Sequence, residues 1–163
     1  MGQRGNVKGQ GTASTVQQRS LIRHALRASR QAHAPYSGYR VGAAVMTTRG
    51  AVFGGCNVEN AAYPLCLCAE RVALFTAVAA GQRRLAMIAV ATHSVPPASP
   101  CGSCRQVMHE LGPRMTVLLC NHVGDVVETT VEELLPRAFG ATELLPRPMS
   151  PRVTRHARAR ASP

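Results

Sequence analysis

Residues 14 to 33 place apolar side chains at Val16, Leu21, Ile22, Ala25, Leu26 and Ala28, with arginines between them. That 3.6-residue stripe predicts an amphipathic helix, opened by Ser14 or Thr15 as its cap. The pattern then changes. "APYSGY" is a turn, and "YRVGAAVMTT" and "GAVFGGCNV" read as two strands of a hairpin joined at "RG". "CAERVALFTAVAAG" returns to helical periodicity, is rich in alanine and closes at Gly81. "LAMIAVATH" is a strand too uniformly apolar to face water, so both of its faces should be covered. "CGSCRQVMHELG" is a helix stopped by Gly112 and Pro113. "MTVLLCN" and "VVETTV" are strands around the turn "HVGD", and "VEELLP" is a short helix ended by Pro136.

The order is helix, two strands, helix, strand, helix, two strands, short helix. A strand–helix–strand–helix–strand centre requires crossovers that pack helices on a sheet. The expected fold is a three-layer α/β/α sandwich on a mixed five-stranded sheet. A chain of 163 residues fits one such domain. The longest strongly apolar stretch, residues 85 to 91, is far too short to span a bilayer. "MGQRGNVKGQGTA" has no apolar core of a signal peptide. A cytoplasmic setting is expected, in which the six cysteines stay reduced.

Charge alters the picture only at the ends. The net charge is +11, of which residues 1 to 13 hold +2 and residues 146 to 163 hold +5. Both ends lack periodic apolar positions and read as disordered extensions, leaving residues 14 to 145 as the folded domain. The basic tail reads first as solvated chain. Any contact with nucleic acid should be weak and nonspecific, because no aromatic residue interleaves with its arginines.

The candidate chemistry begins at Cys101 and Cys104. Two thiols three residues apart fit a redox pair, two ligands of a structural zinc, or two ligands of a catalytic metal. Cys68 opens the preceding helix, and both helices follow strands, so both N-termini can point toward one sheet edge. Three thiolates there would hold Zn²⁺ and leave its fourth tetrahedral position open. Cys66 is the rival fourth ligand, which would close the site. Sharing one metal between Cys66 and Cys68 across a single residue is awkward, so Cys66, Cys56 and Cys120 read as packed thiols. Arg71, one turn after Cys68, can donate to a thiolate sulfur from the second shell of the zinc. Arg105 reads as a surface ion-pairing residue. Glu70 lies two residues after Cys68. Alone it would merely favour the helix start, but beside a cysteine tripod it becomes a general acid/base candidate.

The motifs "APYSGYRVGAAV", "GCNVENAAYPLCLCAER", "PCGSCRQV" and "TVEELLPRAFGATEL" together resemble the zinc-dependent cytidine deaminases of nucleoside metabolism, across roughly residues 15 to 145. The resemblance implies zinc on Cys68, Cys101 and Cys104, with Glu70 as proton shuttle. It implies that Asn57 and Glu59 bind the ribose hydroxyls and that the Ala69 N–H contacts the base carbonyl. It sets Tyr39 where the family usually has phenylalanine, on a stacking face. It sends Phe139 into the pocket of a neighbouring subunit, making a homotetramer with shared sites. The activity implied is hydrolysis of cytidine and deoxycytidine to uridine and deoxyuridine, with release of ammonia, in pyrimidine salvage. A blasticidin-type deaminase shares the tripod, but the arginine of "CAER" and the intact "NVEN" favour the nucleoside enzyme. A polynucleotide deaminase usually has histidine where Cys68 stands. A zinc-stabilised binding module would need four protein ligands and have no use for Glu70.

Overall fold

The computed structural model describes residues 15 to 144. Expectations for the two basic ends, and the cap at Ser14, lie outside those residues. Helix α1 (Thr15–Ser29) leads into the hairpin β1 (Gly42–Thr47) and β2 (Val52–Cys56). Then follow α2 (Ala69–Ala79), β3 (Leu85–Thr92), α3 (Gly102–Leu111), β4 (Thr116–Asn121) and β5 (Val126–Thr130). Two single-turn helices, α4 (Val131–Leu134) and α5 (Ala141–Leu144), close the described chain. A 3₁₀ turn at Tyr63–Leu65 lies between β2 and α2.

The five strands form one sheet in the order β2-β1-β3-β4-β5. β3 and β4 are parallel, and every other pair is antiparallel. Since β1 runs opposite to both neighbours, β2, β3 and β4 all point the same way. The segment carrying α2 therefore crosses over β1, and the one carrying α3 joins two adjacent parallel strands. Both helices start at the C-terminal ends of the strands before them.

Side chains alternate between the two faces with the strand period of two. Ala43, Val45, Ile88, Val90, Val117 and Leu119 pack with Ala73 and Leu74 of α2, Met108 of α3 and Val131 of α4. Ala44, Met46, Met87, Ala89, Ala91, Leu118 and Cys120 pack on the other face against Leu21 and Ala25 of α1. The sandwich is thus α1, sheet, then α2 with α3, as the uniformly apolar strands implied.

α1 is shorter than its stripe suggested. It stops at Ser29, whose hydroxyl donates to the Leu26 carbonyl, and His33 bridges to Val58 instead of continuing the helix. Val16, in the first turn, is 74 % exposed and stays outside the core. The short helix at Val131 is fastened by a capping box: Thr130 Oγ1 accepts from the Glu133 N–H, and the Glu133 carboxylate accepts from the Thr130 N–H.

Two glycines set how closely helices lie on the sheet. A methyl group at Gly55 would fall onto backbone atoms of Ala69 and Ala73 in α2. One at Gly42 would fall onto Ala25 and Ser29 of α1. With Ala69, Ala73 and Ala77 fully buried, α2 rests on the sheet nearly backbone to backbone. Gly55→Ala is therefore expected to destabilise the fold by about 1–3 kcal/mol, the usual range for overpacking. Gly54→Ala adds a methyl no closer than 3.9 Å to any neighbour, and should change stability by less than about 0.5 kcal/mol. Urea denaturation of the two variants beside the parent measures both values.

Candidate metal centre and substrate cleft

Cys68 and Cys101 occupy equivalent places, each the N-cap of the helix that follows, with extended backbone and no side-chain capping bond. Cys104 stands one turn inside α3 and is fully buried. The topology brings the two helix starts together, and the three Sγ atoms lie within 4.8 Å of one another. Cys68 and Cys101 Sγ are 3.8 Å apart. Zn–S bonds of about 2.3 Å in a tetrahedron require sulfurs about 3.8 Å apart, so this donor set fits Zn²⁺. Of the three, Cys101 is exposed and Cys104 buried, which leaves one side of the trio facing the cleft.

The trio is electrostatically uneven. Hydrogen bonding from Cys104 lowers the Cys68 pKa to about 5, against the opposing effect of burial, with further help from Arg71 and Cys101. Cys104 is pushed far upward by the same contact with Cys68, and by burial. Cys68 is thus the first thiolate, and metal binding must displace the remaining thiol protons. Arg71 Nη2 donates to Cys68 Sγ at 3.8 Å and to the Cys66 carbonyl at 3.0 Å. Its Nε is buried without a partner. The two helix starts add their positive dipole ends to the same spot.

Cys66 does not join the cluster. Its Sγ accepts from the Asn60 N–H at 3.2 Å and also contacts the Asn60 carbonyl, while lining the cleft. It ties down a loop, where the sequence suggested a packed thiol. Cys56 is half-buried, its thiol donating to the Gln31 carbonyl, and Cys120 is buried in the α1-facing core. Arg105 also departs from its expected surface role. Its guanidinium donates to Pro100 O at 2.8 Å, Leu134 O at 2.9 Å and Ser99 Oγ at 2.8 Å. It holds the segment entering Cys101 against the end of α4, a role no local pattern signals because Leu134 is 29 residues away.

The trio opens on a cleft of about 560 Å³. Glu70 lines it and is 4 % exposed, and burial raises its pKa. Tyr39, Asn57 and Glu59 line the same cleft. Asn57 Oδ1 accepts from the Val41 N–H at 2.8 Å, and its Nδ2 donates to the Tyr39 carbonyl at 2.8 Å. Glu59 accepts from the Ser37 hydroxyl and from the Tyr36 N–H at 2.9 Å. Those bonds, the Ser37 one foremost, lower its pKa and keep it ionised. Ser37, within "APYSGY", also lines the cleft, and no local pattern signals its bond to Glu59, 22 residues away. Ala69 is the first residue of α2, so its N–H has no acceptor within the helix. Phe139 is not gathered into this cleft. It is 55 % exposed, and its carbonyl accepts from Gln106 Nε2 at 2.7 Å.

Three cysteine sulfurs, two of them on the cleft wall, with a buried carboxylate beside them, have the composition of a catalytic zinc site rather than a closed structural one. The class is that of the zinc-dependent hydrolytic enzymes. Residues 15–120 match the family model for the cytidine and deoxycytidylate deaminase zinc-binding region, and the chain belongs to the zinc-dependent cytidine deaminase family. Cytidine deaminase from Halalkalibacterium halodurans is 50% identical over 125 residues, covering 76% of this chain and 95% of that protein. The crystal structure of cytidine deaminase from Burkholderia pseudomallei is 55% identical, with a TM-score of 0.73, over 74% of this chain and 98% of that one. Blasticidin-S deaminase from Bacillus cereus is 33% identical over 109 residues, 62% of this chain and 77% of that protein.

Arg71→Gln should weaken zinc binding about 10–100-fold by removing the donor to Cys68. Cys66→Ala should leave zinc stoichiometry at the parental value, whereas Cys68→Ala should abolish tight binding. Chelator competition followed by metal analysis checks all three.

Proposed function

We propose that this chain catalyses the hydrolytic deamination of cytidine and deoxycytidine, giving uridine or deoxyuridine and ammonia. The observation that carries the reading is Glu70, a buried carboxylate on the cleft wall beside the three thiols. A structural zinc module has no need of it. The intact Asn57–Glu59 pair favours a nucleoside over blasticidin S as substrate.

Zinc held by Cys68, Cys101 and Cys104 would supply a Lewis acid that makes a water nucleophilic at neutral pH. A water adding to C4 of the cytosine ring would lose one proton to Glu70, which delivers it to N3. Glu70 would then carry the remaining proton of that water to the exocyclic amine, so that the C4–N bond breaks, ammonia leaves and the oxygen stays as the C4 carbonyl. Burial suits Glu70 to this task, because desolvation brings a carboxylate's pKa toward the working pH. Arg71 is a positioning residue for Cys68, and its charge offsets that of the thiolates. The Ala69 N–H at the start of α2 meets the base carbonyl. Asn57 and Glu59 hold the ribose hydroxyls, with Ser37 orienting the carboxylate. Tyr39 offers its ring face to the base.

We propose further that residues 14 to 145 make up the deaminase domain and that the active form is a homotetramer. Phe139, exposed in the single chain, reaches the base in a neighbouring subunit's cleft. A cytoplasmic, salvage setting fits this chemistry, and no helix among the described residues is long and apolar enough to cross a membrane. The Arg-rich segment after residue 146 is assigned no part in the reaction.

Glu70→Gln should retain zinc and fold while losing about 10²–10⁴-fold in turnover, since an amide cannot shuttle protons. Ultraviolet assay of cytidine, deoxycytidine, CMP and blasticidin S checks the activity and its range. No ammonia release from the zinc-loaded parent would overturn the reading. Mixed oligomers of Glu70→Gln and Phe139→Ala subunits should recover sites with parental KM. Mixtures no better than the sum of the two variants would exclude shared sites.

A further inference from the structure

The cleft has two walls built from separate parts of the chain. One is the sugar-side loop, where Ser37 and Tyr39 meet Asn57 and Glu59. The other is the segment from Thr92 to Cys101, which delivers a metal ligand. Tyr39 touches both. On its own side its N–H donates to Ser37 Oγ at 2.9 Å, and its carbonyl accepts from Asn57 Nδ2 at 2.8 Å. Beyond the paired ends of β1 and β3 its hydroxyl lies 2.6 Å from Ser94 Oγ, on the segment that leads to Cys101.

Ser94 is not a loose partner. Its carbonyl accepts from Asn121 Nδ2 at 3.1 Å. Asn121 is 2 % exposed, and its Oδ1 accepts from the N–H groups of Val123, Gly124 and Asp125. The loop beyond Ser94 is closed by the Ala98 N–H donating to Thr92 Oγ1 at 3.2 Å, and Arg105 then holds Ser99 and Pro100. Both ends of the Tyr39–Ser94 contact are therefore anchored in rigid structure, so the contact constrains the gap between them.

We propose that the Tyr39 and Ser94 hydroxyls form a clasp at the base of the cleft walls, where the segments beyond β1 and β3 adjoin, which fixes the placement of the sugar-binding loop relative to the metal-ligand loop and so tunes nucleoside affinity. A phenylalanine at this position would keep the ring face and lose the clasp. The consequence for affinity rests on the deaminase reading given above; the clasp itself does not. Tyr39 is 39 % exposed, so water competes for the bond and its effect is modest, about three- to tenfold in affinity for one hydrogen bond. Both hydroxyls serve one bond, so losing either removes the same interaction.

The test uses zinc-loaded full-length protein and the variants Tyr39→Phe, Ser94→Ala, their double mutant and Ser94→Thr. Each single variant should raise KM for cytidine about three- to tenfold, with kcat moving by a smaller factor. The double mutant should be no worse than either single, and Ser94→Thr, which keeps a hydroxyl, should restore KM. Amide hydrogen exchange at residues 37 to 41 and 93 to 99 should quicken in both single variants. Parental KM in either single variant, or effects that multiply in the double mutant, would overturn the proposal. Exchange unchanged in both segments would overturn it even if no cytidine is turned over. A parent inert toward cytidine whose variants still loosen both segments would sink the deaminase reading while upholding the clasp.

Discussion

The near-contact of α2 with β2 governs the rest of the molecule. Gly55 lets the backbone of Ala69 and Ala73 settle directly on the strand. Small residues continue the contact through Ala77. Because the helix begins one residue after Cys68, its depth on the sheet also sets the height of that sulfur. α3 rests on the same face after the parallel strand β3, so its N-cap sulfur arrives beside the first. A bulkier side chain under α2 would lift one ligand away from the other two. Helix–sheet packing and metal geometry are therefore one constraint. A displacement well under an ångström in the first is felt in the second.

That convergence concentrates negative charge, and the surroundings are arranged to accept it. Helix N-termini, Arg71 and the neighbouring thiols all favour the Cys68 thiolate. Hydrogen bonding and burial thus separate two neighbouring groups: a sulfur that ionises early and a carboxyl that holds its proton longer. Zn²⁺ with three thiolates carries a net charge of about −1, which weakens its acidifying power. Arg71 and the helix ends lie where they can restore part of it.

The substrate side depends on hydrogen bonds between polar groups rather than on apolar packing. Glu59, Ser37, Tyr39 and Asn57 form a connected chain, so none of them moves alone. Such preorganisation lowers the entropy lost when a ligand's hydroxyls are bound. Phe139 stands outside this chain, on α5's approach, with its ring exposed. Its backbone is pinned by Gln106 while the side chain stays exposed.

Much of this was legible in the chain itself. Uniformly apolar strands demanded a sheet covered on both sides, since alternate residues of each strand must be buried against different partners. The order of strands and helices required two crossovers, and crossovers bring helix starts to the same sheet edge. CxE at one start and CxxC at the other are local spacings, fixed by helix geometry, so the three cysteines that the fold gathers, able to hold a metal ion, could be named before any coordinates. What the sequence could not settle depended on contacts between residues far apart in the chain. Cys66 and Cys68 look alike in "LCLCAE", and only the loop at Asn60 turns one sulfur away from the trio. Arg105 became a brace because α4 returns Leu134 to it. Tyr39 met Ser94 across 55 residues, because the ends of β1 and β3 are neighbours in the sheet. Periodicity and spacing report what a residue's near neighbours require; which of two similar side chains turns inward is decided by whatever the fold brings against it.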